Sequence, residues 1–450
     1  MSSKNTTMWV IIAVVVVVAI VAAVLLTAQP GGSSQPTTTP TSTPTATTSP
    51  SQPTTTPTST PTATTSPSQP TTTPTSTPTA TTSQTPTTTS VPSQLSGALT
   101  GGGSTFVAPQ MFTWSKTFYQ IMGGKIQVNY QSIGSGAGTA QFLEKKLDFG
   151  GSDVPMPKDK YQQVAGRFVQ FPVIIGSIVL VYNIPELAYS KTGKYLNLTS
   201  EVISLIYMGE IKQWCDARIK ALNPGLADKL PCKDIVAVHR SDGSGTTAAF
   251  TLYLSKAYPA WNQTVGWGFT VNWPADQKAK GTGGKGNEGV AQAVLQTPYS
   301  IGYVEFAYWA KNKDKYDQMG GVAFVRNDND GKYYFPTTEN VAMGAAAGLE
   351  RYARKYGAPP APEADWNPVS IEFSNPPRGY PIMSFVYVFL WKDYAAEGYG
   401  DAATKAALLK EFFRWVLTEG QKQENVVEGY IPLPSEVAKI GLEALNLVKP

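Results

Sequence analysis

Arg240-Ser241-Asp242-Gly243-Ser244-Gly245-Thr246-Thr247 joins a strand-like run to a helix-like one. Before it, Ile235-Val236-Ala237-Val238 is short, apolar and mostly β-branched, the pattern of a buried strand. After it, Phe250, Tyr253 and Leu254 recur at helical spacing, so an amphipathic helix is expected from Thr246 onward. The turn offers hydroxyls, small residues that leave backbone N–H groups open, and one guanidinium. A helix start carries unpaired N–H groups and partial positive charge, which suits an oxyanion. Arginine adds a planar fork of donors matched to phosphate or carboxylate. Taken alone, the same stretch reads equally well as a capped helix carrying a surface arginine.

Three further glycine-rich segments repeat the pattern. Gly101-Gly102-Gly103-Ser104-Thr105-Phe106 precedes Met111, Phe112, Trp114 and Phe118, which predict an amphipathic helix. Ile126, Val128 and Tyr130 alternate as a strand that runs into Gly134-Ser135-Gly136-Ala137-Gly138, with Phe142, Leu143 and Leu147 as a helical stripe behind it. Gly150-Gly151-Ser152-Asp153 is expected as a turn after a short strand around Leu147 to Phe149. Strand, glycine-rich turn and helix together aim backbone N–H groups at an anion. None is a P-loop or a dinucleotide fingerprint; in Gly283-Gly284-Lys285-Gly286, a glycine stands where Ser or Thr is required.

The 450-residue chain has no charged residue between Lys4 and Lys116. Met8 to Ala28 is an apolar run of about 21 residues, long enough to cross a bilayer and longer than a secretory h-region. Lys4 precedes it and no charge follows closely, which places the N-terminus in the cytoplasm and the remainder outside. A removed signal peptide is the other reading of residues 1–28. Residues 34–50, 51–67 and 68–84 are copies of a 17-residue Ser/Thr/Pro repeat with one alanine each. Residues 29–96 therefore read as an extended, solvated stalk of O-glycosylated composition, reaching roughly 150–200 Å at most. The rest is long enough for two α/β domains. With 36 basic and 32 acidic residues and no Lys/Arg-rich run, a nucleic-acid surface is not expected.

Cys215 and Cys232 lie 17 positions apart around the Asn223-Pro224-Gly225 turn. An oxidising exterior favours a disulfide over two buried thiols. With the single His239 they cannot fill a usual metal shell. Asn197-Leu198-Thr199 and Asn262-Gln263-Thr264 are glycosylation sequons. His239 and the aromatics Tyr303, Phe306, Tyr308 and Trp309 read most simply as packing residues.

From Gly97 to Pro450 the chain resembles the phosphate-binding proteins of phosphate ABC transporters. The motifs are Thr100 to Phe106, Tyr130 to Gly138, Asp148-Phe149-Gly150-Gly151-Ser152-Asp153, Leu222 to Gly225, Arg240 to Thr247, Gly284-Lys285-Gly286-Asn287-Glu288-Gly289 and Ser300-Ile301-Gly302-Tyr303-Val304-Glu305. Val107, Tyr299, Cys215 and extra residues between Trp273-Pro274 and Gly283 depart from the family pattern. The resemblance implies a type II periplasmic-binding-protein fold, two α/β lobes with the ligand between them. Residues 97–180 and 381–450 would form lobe I and residues 181–380 lobe II, with crossovers near Val181–Asn183 and Asn375–Tyr380. It implies inorganic phosphate as ligand and ABC permease subunits as partners, with no cofactor, metal or catalytic residue. Carried over by motif, the phosphate contacts are Thr105, Phe106, Ser135, Asp153, Arg240, Ser244, Gly245 and Thr246, with Asp242 orienting Arg240. Asp153 and Asp242 could instead cap the helices that follow them. The competing functions are an exported phosphatase, a receptor for another tetrahedral oxyanion, and an adhesive surface protein. The apolar span, stalk and sequons together resemble surface-anchored binding proteins of archaea.

Overall fold

The computed structural model of the protein describes residues 95–450. The expected membrane span and the 17-residue repeats lie outside the described residues, as does all of the stalk but its last two positions. Among the described residues, no helix is long and apolar enough to cross a membrane.

The architecture turns on one strand. In the first part of the chain β1 (Gly97–Gly103), β2 (Ile126–Ser132) and β3 (Phe149–Ser152) are parallel, with α1 (Ala108–Ile121) and α2 (Ser135–Leu143) between them. Next comes β4 (Phe168–Asn183), 16 residues and every one buried. Its nearly unbroken apolar sequence suits a strand covered on both faces. Then follow β5 (Val236–Arg240), α3 (Gly245–Ala257), β6 (Lys280–Gly284), α4 (Gly286–Gln296) and β7 (Ser300–Glu305). Helices α5 (Phe306–Ala310), α6 (Thr338–Tyr356) and α7 (Asn367–Phe373) precede the last long strand, β8 (Met383–Trp391).

The strand order is β2-β1-β3-β8-β4-β7-β5-β6. Phe168 to Ser177 of β4 pair antiparallel with β8, whereas Ile178 to Asn183 pair antiparallel with β7. One continuous strand thus belongs to the sheets of both lobes. The handover falls at Ser177/Ile178, a few residues before the position expected from sequence. A run this uniformly apolar carries no internal mark of where its partner changes. Pro172, which cannot donate to a ladder, sits where the register with β8 shifts. The return segment runs beside the handover: Ile178 donates to the Ile382 carbonyl (2.9 Å), and Asn327 clamps the Pro376 and Gly379 carbonyls (3.0 and 2.9 Å).

Several sequence expectations need correction. Gly101–Gly103 and Gly150–Ser152 are strand, not turn. Their glycines serve close packing: a Cβ on Gly101 would collide with the Phe149 ring, and one on Gly103 with the Gly151 carbonyl. Met111, Trp114 and Phe118 are buried on α1, but Phe112 is 49% exposed, and Leu147 lies beyond α2. Part of the segment assigned to lobe II packs on lobe I. Asn367 donates to the Met156 carbonyl (3.0 Å), Gln170 to the Ala364 carbonyl (3.0 Å), and the Trp366 ring meets Tyr387.

Cys215 and Cys232 are joined by a disulfide that closes a 17-residue separation, next in sequence to the buried Trp214. Asn262 is exposed on its helix. Asn197 is half-buried with its amide directed at the Leu222 carbonyl (3.4 Å), and Thr199 caps the next helix. Of the two sequons, Asn262 is the open one.

Candidate functional site

Parallel strands present their carboxyl ends as a rim, the usual place for a ligand in α/β sheets. Here the ends of β1 and β3 face those of β5, β6 and β7, and the two rims are in contact. Gly136 of α2 donates to the Gly243 carbonyl across the seam (3.0 Å), and the Tyr308 hydroxyl donates to the Thr105 carbonyl (2.7 Å). A Cβ on Gly245 would lie 2.5 Å from the Ser135 hydroxyl and 2.8 Å from Asp153. Only glycine permits that approach.

The structure brings every residue expected to contact an anion to this seam, and all are buried. Five backbone N–H groups there, those of Thr105, Phe106, Ser135, Gly245 and Thr246, have no partner among the described residues. Ser135 and Gly245 open α2 and α3, so their N–H groups have no partner within the helix. Buried N–H groups are almost always paired, so five without a partner at one seam mark a candidate acceptor site.

Arg240 ends β5 with its side chain 1% exposed. Its Nε and Nη2 donate to Asp242 Oδ1 and Oδ2 (2.8 and 2.6 Å), and Nη1 donates to Thr246 Oγ1 (3.3 Å). Asp242 also accepts from the Gly286 N–H (2.9 Å). The fork is thereby fixed, with two of its five N–H groups left over among the described residues. Burial pushes the Asp242 pKa up, but the bonds and attraction of Arg240 outweigh it and hold the group below its ordinary range.

Asp153, the residue after β3, is 1% exposed. It accepts from the Ser104 hydroxyl at Oδ1 and from the Thr246 hydroxyl at Oδ2 (3.1 Å). Burial raises its pKa to about 6, against the lowering effects of the Ser104 bond, Arg240 and the Thr246 bond. Neither aspartate is a helix cap. Pro157 stands at the N-cap position before Lys158–Val164, and Ser244 caps α3 by accepting from the Thr247 N–H (3.0 Å).

Sequence reasoning assigned no role to Ser104, Asn287 or Glu305, although all three stand inside the motifs quoted above. Ser104 is fully buried and spans Asp153 and the Val107 N–H (3.0 Å). Asn287 is fully buried between Thr105 and Thr246. Glu305 is held well above the usual carboxylate range by burial. Their signal was a polar side chain in an otherwise small or apolar motif. His239 is packed, stacking on Trp273 (4.9 Å) with Nε2 2.9 Å from Asp276. It lines a cavity of about 310 Å³ together with Arg240, Trp273 and Asp276. Tyr303 and Trp309 are buried, with Tyr303 accepting from the Arg240 N–H (3.1 Å). Among the described residues, no group of three or more His, Cys, Asp or Glu could hold a metal ion.

Comparison with known proteins agrees with this geometry. The model of the PBP superfamily domain matches residues 51–419. The phosphate-binding protein PstS of Methanocaldococcus jannaschii is 38% identical over 352 residues, 77% of this chain and 85% of that protein. PstS of Haemophilus influenzae is 38% identical over 348 residues, covering 77% and 92%. Among solved structures, a high-affinity periplasmic phosphate-binding protein (PfluDING) bound with phosphate superposes with a TM-score of 0.55 at 21% identity, over 79% of this chain and 99% of that one. The phosphate-binding protein of Stenotrophomonas maltophilia gives 0.53 at 20%, over 77% and 94%. The structural likeness establishes a two-lobed α/β fold. With the sequence relationship, it places this chain in the PBP superfamily, among the PstS phosphate-binding proteins.

Proposed function

We propose that this chain is a non-enzymatic, extracytoplasmic receptor that captures inorganic phosphate at the seam between its lobes and delivers it to an ABC transporter permease. The observation that carries the assignment is that five partnerless backbone N–H groups, the clamped Arg240 and Asp153 are gathered at one buried seam. A carboxylate beside an anion is costly unless the anion brings a proton. Phosphate near neutral pH retains one or two protons, so a P–OH can donate to Asp153. Sulfate retains none and would leave two acceptors face to face. Sites built to pair a substrate hydroxyl reject its absence by roughly 10⁴–10⁵.

In this reading Thr105, Phe106 and Ser135 contribute backbone N–H groups from lobe I, and Gly245 and Thr246 contribute them from lobe II. The hydroxyls of Thr105, Ser135 and Ser244 add donors, Arg240 supplies the cation, and Asp242 orients it. Closure of the lobes on the anion would present one combined surface to the permease, with the β4 handover as hinge. Met8 to Ala28 would tether the protein to the membrane, residues 29–96 would act as spacer, and Asn262 would be a glycosylation site.

Calorimetric titration of the purified full-length chain, stripped of bound anion, tests the assignment. Tight binding of phosphate that excess sulfate does not displace is the expected result. Equal response to both anions would overturn the role of Asp153 and reopen the ligand. Membrane sedimentation of the full chain, against a variant lacking residues 1–28, tests the tether.

A further inference from the structure

Asn287, the second residue of α4, has its whole side chain committed to the seam. One amide bond reaches Thr105 Oγ1 in lobe I (2.9 Å), and another reaches Thr246 Oγ1 in lobe II (3.0 Å). Its Oδ1 accepts from the Glu305 N–H (2.8 Å), which fixes the orientation of the amide. Its own backbone N–H makes a second bond to Thr105 Oγ1 (3.1 Å).

A hydroxyl can accept twice and donate once. Both acceptor positions of Thr105 Oγ1 are filled by Asn287, so the one thing left for that hydroxyl is to donate. No acceptor for its proton lies among the described residues. Thr246 Oγ1 accepts from Asn287 and from Arg240 Nη1 (3.3 Å), and its proton goes to Asp153 (3.1 Å). In this arrangement Thr246 is fully committed, and Thr105 keeps only its donor capacity.

We propose that Asn287 is a positioning residue that couples lobe closure to donor orientation, turning the Thr105 hydroxyl toward the bound anion only when the lobes meet. The inference rests on the phosphate reading above. With the lobes apart, Thr105 would lose both bonds from Asn287 and its hydroxyl would be free to rotate. Closure therefore supplies a donor as well as an enclosure. Bond formation that waits for closure shows in the dissociation rate more than in the encounter rate.

The test is a double-mutant cycle on the full-length chain, with phosphate affinity read by calorimetry and dissociation by stopped flow. Asn287→Ala is expected to weaken phosphate binding about 10-fold to 30-fold, mostly as faster dissociation. In a Thr105→Val background the same substitution should cost less than about 3-fold, because the hydroxyl it acts through is gone. Asn287→Ser, which cannot span both threonines, takes the place of the alanine variant if that one melts below the assay temperature. An unchanged dissociation rate, or an equal loss with and without the Thr105 hydroxyl, overturns the proposal in favour of simple packing. Absence of phosphate binding in the parent chain would instead overturn the functional assignment.

Discussion

The two walls of the seam are made from the same parts but carry different ionisable groups. Lobe I brings strand ends, a helix start and the carboxylate of Asp153; lobe II brings strand ends, a helix start and the guanidinium of Arg240. Arg240 is already neutralised by Asp242, and Glu305 is pushed toward its protonated form by burial. With Asp153 ionised, the enclosure has no net positive charge. In the proposed reading, an anion would then be held by N–H dipoles and leftover guanidinium donors, not by excess charge. In that reading lobe II would supply the guanidinium donors, and lobe I would check whether the anion still carries a proton.

Removing the lobe II contribution should have the largest effect. Arg240→Ala leaves the half-buried Asp242 without its cation and deletes the guanidinium donors of the proposed site. Losing one partner of a buried charged pair costs about 2–5 kcal/mol, roughly 30-fold to several thousand-fold in affinity. A loss below about 10-fold by calorimetry would mean that the N–H groups alone hold the ligand.

Altering the lobe I contribution should change selectivity before affinity. Asp153→Asn replaces an acceptor with a group that can also donate, so phosphate should weaken while sulfate improves, narrowing their ratio by on the order of 10² or more. If sulfate stays excluded, Asp153 is not the discriminating group. Its pKa of about 6, against 3.8 ordinarily, adds a pH dependence. A carboxyl raised on folding favours the ligand-free protein at low pH, and that contribution fades as pH rises through about 6. Phosphate needs the ionised form, so the rise in melting temperature caused by phosphate should grow over the same interval. Asp153→Asn should flatten that growth.

Much of this division was visible in the sequence because the contacting groups lie in short motifs. Arg240, Asp242, Ser244, Gly245 and Thr246 fall within seven positions, and a strand before and a helix after them fix their direction. What the sequence could not express was contact across the seam. Asn287 lies 182 positions from Thr105 and 41 from Thr246 and bonds to both. Within lobe I, Ser104 meets Asp153 across 49 positions, a separation that no short motif spans. A polar residue among glycines reads as loop until the other lobe is placed against it. The glycines of Gly101–Gly103 were misread for a related reason. Turn and tight strand packing both call for a missing Cβ, and only the position of Phe149 and Gly151 distinguishes them. The handover within β4 was blurred because residues on either side of Ser177 are equally apolar.

The smallest effect on binding separates the rigidity of lobe II from the geometry of its wall. The Cys215–Cys232 disulfide restrains residues 213–234, a segment that closes on itself through the Gln213–Asp234 bridge and the bond from the Trp214 N–H to the Lys233 carbonyl (3.1 Å). Neither cysteine bonds to a residue of the seam. A 17-residue separation corresponds to about 3 kcal/mol of constraint on the unfolded chain. Replacing both cysteines by serine should therefore lower the melting temperature by roughly 5–10 °C in calorimetry. Phosphate affinity at 25 °C should stay within about 2-fold, since the Arg240 fork is held by Asp242, Thr246 and the end of β5. A large loss of affinity without a matching loss of stability would show that this loop transmits strain to β5. The lobe II wall would then depend on its periphery, and the contrast with lobe I, whose donors rest on strand ends and a helix start alone, would become one of support as well as charge.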